Sequence, residues 1–331
     1  MGFRKAATAK IGGKFLAFGD TGTGKSQFSL TFPKVASIDS ETGIAHYEGK
    51  EIEIGGKKYN NLVLVDNTSD LDELESDLDD FLAGTYDGQV SSLSIDSETK
   101  FYNTMQVGAT EVEERRARKK GDDVDDQVVS SRQWGRIKVI NMKMQQAKID
   151  LSAKGVHIIS IAQATDLRDK KDSTKIVGDK PDMHKSVPFD YDTVLRFFTK
   201  KNKDGEIEFF AEVVKDRTCV TKVGDIIQNC TFDVWKDYYD KMNKLSTNKT
   251  SYAKDLKTST DNMVDKADRV DDLVSEWKTF MKELSAKKDT DSISKINTKL
   301  KELKIDVKNI NLCDLKTVKE LVDYSKSLVK E

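Results

Sequence analysis

The stretch GDTGTGKS at residues 19–26 sets three glycines, a lysine and a serine at the offsets G-x-x-x-x-G-K-[ST]. Glycines let a loop curl until successive backbone N–H groups point inward, where they can meet phosphate oxygens. Lys25 would neutralise the β- and γ-phosphates, and Ser26 would offer its hydroxyl to Mg2+. The apolar KFLAF at 14–18 reads as a strand running into this loop, and QFSLTF after it is compatible with a helix, which is the setting the motif requires. The chemistry expected is binding of ATP or GTP with Mg2+, with Gly19, Asp20, Thr21, Gly22, Thr23, Gly24, Lys25, Ser26 and Gln27 around the phosphates.

The hexapeptide SIDSET occurs at 37–42 and again at 94–99. The flanks differ completely, KVA and GIAHYEGK around the first copy against VSSL and KFYNTM around the second, so this is not a duplicated segment. Both copies end a short strand, and a parallel α/β sheet presents its ligand site at the carboxyl ends of neighbouring strands. VSSLSID ends on Asp96, placed to hold the Mg2+ shell. KVASID ends on Asp39, and Glu41 follows two residues later. Glu41 and Glu98 compete for the role of the carboxylate that activates water. Glu98 also reads as an ordinary first-turn acid of a helix, where Ser, Thr, Asp and Glu are favoured.

Other elements must hold these ends together. GVHIISIAQATD at 155–166 reads as a strand reaching its end at Gln163, and the polar stretch 166–188 after it reads as a loop. YDTVLRFF and EIEFFAEVV alternate like strands, joined by a hairpin turn at Asp204-Gly205, and the second runs into Lys215-Asp216-Arg217. Between Ser97 and the Gln163 strand lies a long helical region in which Trp134, Ile137, Ile140, Met144 and Ile149 recur at helical intervals and are expected to pack on the sheet. The run from Arg115 to Lys120 reads as a charged helix extending into water, or as a contact for a phosphate backbone.

Residues 14–41 and 90–97 resemble the RecA-like ATPases, whose members read close to IDAE where this chain has Ile38-Asp39-Ser40-Glu41. The resemblance implies that Glu41 polarises the attacking water and that Gln163 senses the γ-phosphate. It also implies that Lys215 and Arg217 form the pair that DnaB-like and KaiC-like members send across a subunit interface, and that 166–188 contacts nucleic acid. Over residues 12–240 the motif order resembles phage-encoded RecA-like ATPases of the single-strand annealing and recombination type. That likeness implies single-stranded DNA binding, ATP-driven annealing or strand exchange, a homo-oligomeric ring or filament, a single-strand-binding protein as partner, and a place in the host cytoplasm. A KaiC-like regulatory ATPase acting on protein partners, or a DnaB-like helicase or loader, is the alternative.

The expected fold is α/β: a RecA-like core with a mainly parallel sheet at 1–245, a polar linker at 246–268 and a small all-helical domain at 269–331. Val270, Leu273, Val274, Trp277, Phe280, Met281 and Leu284 line one face of its first helix. The 331 residues are 37% hydrophobic and 34% charged with a net charge of -2, enough for one sizeable core and an accessory domain. Neither a membrane-length apolar run nor a secretory signal is legible, so no membrane partner is expected. Ala6 stands where a myristoylation motif needs Ser or Thr. Cys219, Cys230 and Cys313 form no metal-ligand spacing with His46, His157 and His184. Phe3 and Ala6 match a short pattern, F-x-x-A, that resembles the one by which some recombinases insert an aromatic ring into a neighbour.

Overall fold

Strand β1, Lys14–Gly19, is buried along its whole length because both of its faces are covered. Phe15 and Ala17 point into one apolar cluster, while Leu16 and Phe18 point into another on the opposite face, as the two-residue period of a strand dictates. A computed structural model describes residues 10–121, 123–124, 127–244 and 251–329. Phe3 and Ala6 lie outside the described residues.

After β1 come the short helix α1 (Lys25–Ser29), β2 (Val35–Asp39), the hairpin β3 (Ile52–Ile54) and β4 (Lys57–Tyr59), β5 (Leu62–Asp66) and helix α2 (Leu71–Ala83). Strand β6 (Ser92–Asp96) then leads into the long helices α3 (Glu98–Lys120) and α4 (Ser131–Lys154). The first unit closes with β7 (His157–Arg168), β8 (Ile176–Pro181), β9 (Thr193–Lys201), β10 (Ile207–Asp216), β11 (Ile226–Gln228) and α5 (Asp233–Asn243).

The central sheet has the order β11-β10-β9-β1-β7-β6-β2-β5, with β8 added to β7. From β9 to β5 every neighbouring pair is parallel, and β8 and β10 run antiparallel to their partners. The fold is thus α/β with a mostly parallel sheet. Helices α1 and α5 cover one face, where Phe15, Phe28, Phe32, Phe232, Trp235 and Tyr239 interlock edge to face. Helices α2, α3 and α4 cover the other with Leu74, Phe101, Ile137 and Leu151. Buried on both faces, the parallel strands read as nearly continuous apolar runs.

Three expectations are corrected. Stretch 166–188 is not a plain loop: β7 continues to Arg168 and pairs antiparallel with β8, Ala164 facing Pro181. This arm carries exposed Leu167, Ile176 and Val177 and has no buried stripe for a sequence pattern to reveal. Trp134 and Ile140 do not pack on the sheet; they are 42% and 36% exposed, while Ile137 and Met144 of the same helix are buried. The polar residues 252–268 belong to a helix, α6, which runs unbroken over Tyr252–Ala286. Its exposed first half lacks an apolar face but also lacks Gly and Pro, so it propagates from the half that is held by packing.

The chain divides into two units, Met1–Ala253 and Lys254–Glu331. In the second, α6, α7 (Thr290–Glu302) and α8 (Leu315–Val329) enclose a core of Val270, Val274, Trp277, Leu284, Ile296, Leu300 and Leu321. The apolar face anticipated on α6 contributes Leu273, Phe280 and Met281 to the edge of that core. Among the described residues no helix is long and apolar enough to cross a membrane.

A polar network joins the layers of the first unit beneath the strand ends. Lys148 of α4 lies 2.7 Å from Glu98 Oε2, and the Tyr191 hydroxyl donates to the same oxygen at 2.8 Å. Gln145 Nε2 donates to Glu98 Oε1 at 2.9 Å. Burial alone would raise the Glu98 carboxyl, but the Lys148 ammonium and the surrounding donors outweigh it and hold the group below its usual range. Removing one partner of a dry ion pair strands the other charge. Lys148→Met should therefore destabilise the first unit by about 3–5 kcal/mol in urea unfolding at neutral pH. The joint change with Glu98→Gln should cost less than Lys148→Met alone.

Candidate functional site

The phosphate-type loop keeps the shape its glycines allow. Gly24 sits at φ 92°, a left-handed conformation that disfavours a side chain, and opens α1. A Cβ on Gly19 would come within 2.2 Å of the Phe197 carbonyl oxygen, so this position holds the loop against β9. Among the described residues the amides of Gly24, Lys25 and Ser26 find no acceptor within the chain. The Lys25 ammonium donates to the carbonyls of Gly19 at 2.9 Å and Asp20 at 2.6 Å, curled over its own loop. Burial lowers its pKa, against the pull of Asp96, Asp20 and Glu41.

The strand ends converge on this loop because of register. Gly19 of β1 pairs with Gln163 of β7, and Asp39 of β2 pairs with Asp96 of β6. The Ser26 hydroxyl donates to Asp96 Oδ2 at 2.5 Å, joining residues 70 positions apart. Asp39 is spent on its own turn, accepting from the amides of Glu41, Gly43 and Ile44. That turn presents Glu41, whose Oε1 accepts from the Ser97 hydroxyl at 2.8 Å and from Gln163 Nε2 at 3.2 Å. Glu98, the competing carboxylate, is only 2% exposed and occupied by Lys148, Gln145 and Tyr191. Two identical hexapeptides thus send one glutamate into a cavity and the other into the interior.

These groups line one cavity of about 570 Å3, together with Asp20, Thr21, Gly22, Thr23 and Gln27 of the loop. Glu41, Asp96, Ser97 and Gln163 form its far side, and Tyr47 and Phe209 add two aromatic rings. The whole set Gly19 to Gln27 with Glu41, Asp96 and Gln163 is brought together. Tyr47 and Phe209 stand outside any motif, so no sequence pattern marks them for the cavity, and Ser97 is marked only as a member of the second hexapeptide.

Lys215 and Arg217 are not brought to this cavity. Strand β10 runs antiparallel to β9, so its end at Asp216 pairs with Thr193, at the edge of the sheet opposite Gly19. Four residue steps along the strand separate Thr193 from Phe197, the partner of Gly19, or roughly 13 Å. There Lys215 donates to the Phe189 carbonyl at 3.0 Å, and Arg217 donates to the same carbonyl at 3.2 Å. In the charged run of α3, Arg115, Arg116 and Arg118 pair with Glu111, Glu113 and Glu114 of their own helix, as a solvated face would.

The cavity is rich in acid. Burial raises the Asp96 carboxyl to about 6; the Ser26 hydroxyl opposes the rise, and the Glu41 and Asp39 carboxylates add to it. A hydroxyl and a carboxylate in contact, beside further carboxylates, suit a hard cation that takes oxygen ligands and keeps several waters. Among the described residues no cluster of three or more His, Cys, Asp or Glu could hold a metal ion.

No protein-family model matches the chain, and no curated protein matches its sequence.

The Asp96 shift carries a sign. With a native pKa of about 6 against an unfolded value of ~3.9, the folded chain holds this proton more tightly, so ionisation of Asp96 opposes folding above about pH 6. Asp96→Asn, whose amide oxygen can still accept from Ser26, should stabilise the protein at pH 8 by up to about 2–3 kcal/mol. The gain should fade as the pH falls from about 6 towards 4. Thermal unfolding of both proteins across that range measures it.

Proposed function

We propose that the chain is a P-loop ATPase of RecA-like architecture that acts on single-stranded DNA in recombination or annealing. The observation that carries the nucleotide part is the 2.5 Å bond from Ser26 to Asp96, because it joins the hydroxyl after the loop lysine to a carboxylate at a neighbouring strand end. Those are the two protein oxygens that a Mg2+-nucleotide site of this class requires. The strand order supports the reading: one strand, β7, lies between the loop strand β1 and the aspartate strand β6, and it delivers Gln163 between them.

The residues then divide the work. The free amides of the loop and the Lys25 ammonium bind the phosphate oxygens, Lys25 exchanging its hold on the Gly19 and Asp20 carbonyls for them. Ser26 and Asp96 would hold Mg2+, which would supply charge neutralisation to the phosphates. Glu41 orients a water and takes its proton as it attacks. Gln163, able to leave Glu41 for a γ-phosphate oxygen, reports that the terminal phosphate is present. Tyr47 and Phe209 offer apolar faces to a base.

Lys215 and Arg217 sit at the edge of the sheet away from their own cavity, so a role in hydrolysis requires a neighbouring copy. Positive charge delivered across such an interface would stabilise the transferring phosphoryl group. The DNA part of the reading is supported by the sequence resemblance; the arm β7–β8 beyond Gln163 carries Arg168, Lys170, Lys171, Lys175 and Lys180, but Asp166, Asp169, Asp172 and Asp179 lie among them and Arg168 pairs with Asp166.

Lys25→Ala should abolish nucleotide binding in equilibrium titration, and Glu41→Gln should keep binding and lose turnover by about 100-fold or more. Arg217→Ala should bind ATP and hydrolyse it poorly, and mixing it with Lys25→Ala protein should restore turnover if the arginine acts across an interface. Retention of single-stranded DNA should need ATP and weaken steeply with salt, because each phosphate contact releases counterions; ATP-independent or salt-insensitive retention would count against the DNA reading.

A further inference from the structure

The two SIDSET turns brace each other through their serines. Ser40 Oγ, from the first copy, accepts the Ser97 amide at 2.9 Å and lies 3.3 Å from the carbonyl oxygens of both Asp96 and Ser97. Ser97 Oγ, from the second copy, donates to Glu41 Oε1 at 2.8 Å. The Ser40 amide also donates to the Asp96 carbonyl at 2.7 Å, so both turns are tied at backbone and side chain.

The two donors to Glu41 differ in how firmly they are held. Ser97 is 3% exposed and fixed at its amide, and its neighbours Asp96 and Glu98 are anchored to Ser26 and Lys148. Gln163 has its backbone pinned, its amide donating to Thr99 Oγ1 at 3.0 Å, but its side chain is exposed and can change partner. Both donors share Oε1, and among the described residues Glu41 Oε2 accepts no hydrogen bond within the chain.

From this geometry we infer that Ser97 is the positioning residue of the hydrolytic carboxylate, holding one oxygen of Glu41 so that the other faces water in the cavity. The inference rests on the ATPase reading above. When a terminal phosphate draws Gln163 away, Ser97 remains the single fixed donor to Glu41. A charge-assisted hydrogen bond from a buried hydroxyl is strong enough to set the orientation of an exposed side chain. The repeated hexapeptide thereby acquires a reason: each turn needs a serine to hold the other.

A double-mutant cycle distinguishes positioning from plain structural support. ATP turnover is measured for the wild-type chain, Ser97→Ala, Glu41→Ala and the double variant, with single-turnover assays for the slow ones. Ser97→Ala should lower kcat by about tenfold or more and leave KM within about twofold. Added to Glu41→Ala, it should cause no further loss, since the group it positions is gone. A Ser97→Ala kcat equal to wild type, an effect confined to KM, or losses that simply multiply would each overturn the inference. If Ser97→Ala does not fold, Ser97→Cys keeps a similar volume with a much weaker donor and carries the same expectations. A wild-type chain without turnover would remove the ATPase reading and this inference with it, whereas a failed cycle on an active wild type removes the inference alone.

Discussion

The site depends on the parallel, in-register pairing of β2 with β6, which sets Asp39 directly beside Asp96. Like charges at neighbouring strand ends repel, and the chain answers each carboxylate separately. Asp39 takes three backbone amides, Asp96 takes the Ser26 hydroxyl, and Glu41 takes Ser97 and Gln163. Only Lys25 among the cavity residues brings positive charge. Burial first, and then the Glu41 and Asp39 carboxylates, raise the Asp96 carboxyl. Under the proposed reading, a nucleotide with a divalent cation would bring positive charge to these carboxylates, and its phosphates would meet Lys25 and the loop amides.

The glutamates of the two hexapeptides show how the same letters acquire opposite environments. After β6 the chain enters α3 at once, so Glu98 falls on the first turn and faces α4, where Lys148 and Tyr191 receive it. After β2 the chain makes a turn capped by Asp39, so Glu41 stays at the surface of the cavity. Identical local sequence specifies neither outcome; the element that follows does.

A similar division holds for the chain's polar stretches. The arm β7–β8 is a two-stranded extension beyond the covered part of the sheet, held by ladder bonds and by Arg196, which pairs with Asp179. The first half of α6 is a solvated helix continuing from a packed one. Neither buries an apolar face, and both would lose little by opening locally, which places them at the adaptable end of the structure.

Read alone, the sequence determined what short-range chemistry dictates. The order G-x-x-x-x-G-K-S between an apolar strand and a helix start marks the loop, and apolar strands reaching Asp39, Asp96 and Gln163 mark a parallel sheet with its candidate site near those residues. The apolar face of α6 from Val270 to Leu284 likewise marked the helical second unit. These features are local, because glycine geometry and apolar runs act within a few residues. Tertiary structure alone decided that Glu98 is buried while Glu41 lines the cavity, that Ser97 donates to Glu41, that Tyr47 and Phe209 add aromatic lining, and that Trp134 and Ile140 are exposed. Each of those depends on which strand lies beside which and which helix covers it, and a hydrogen bond or a contact between residues so far apart in the chain leaves no periodic trace in the letters.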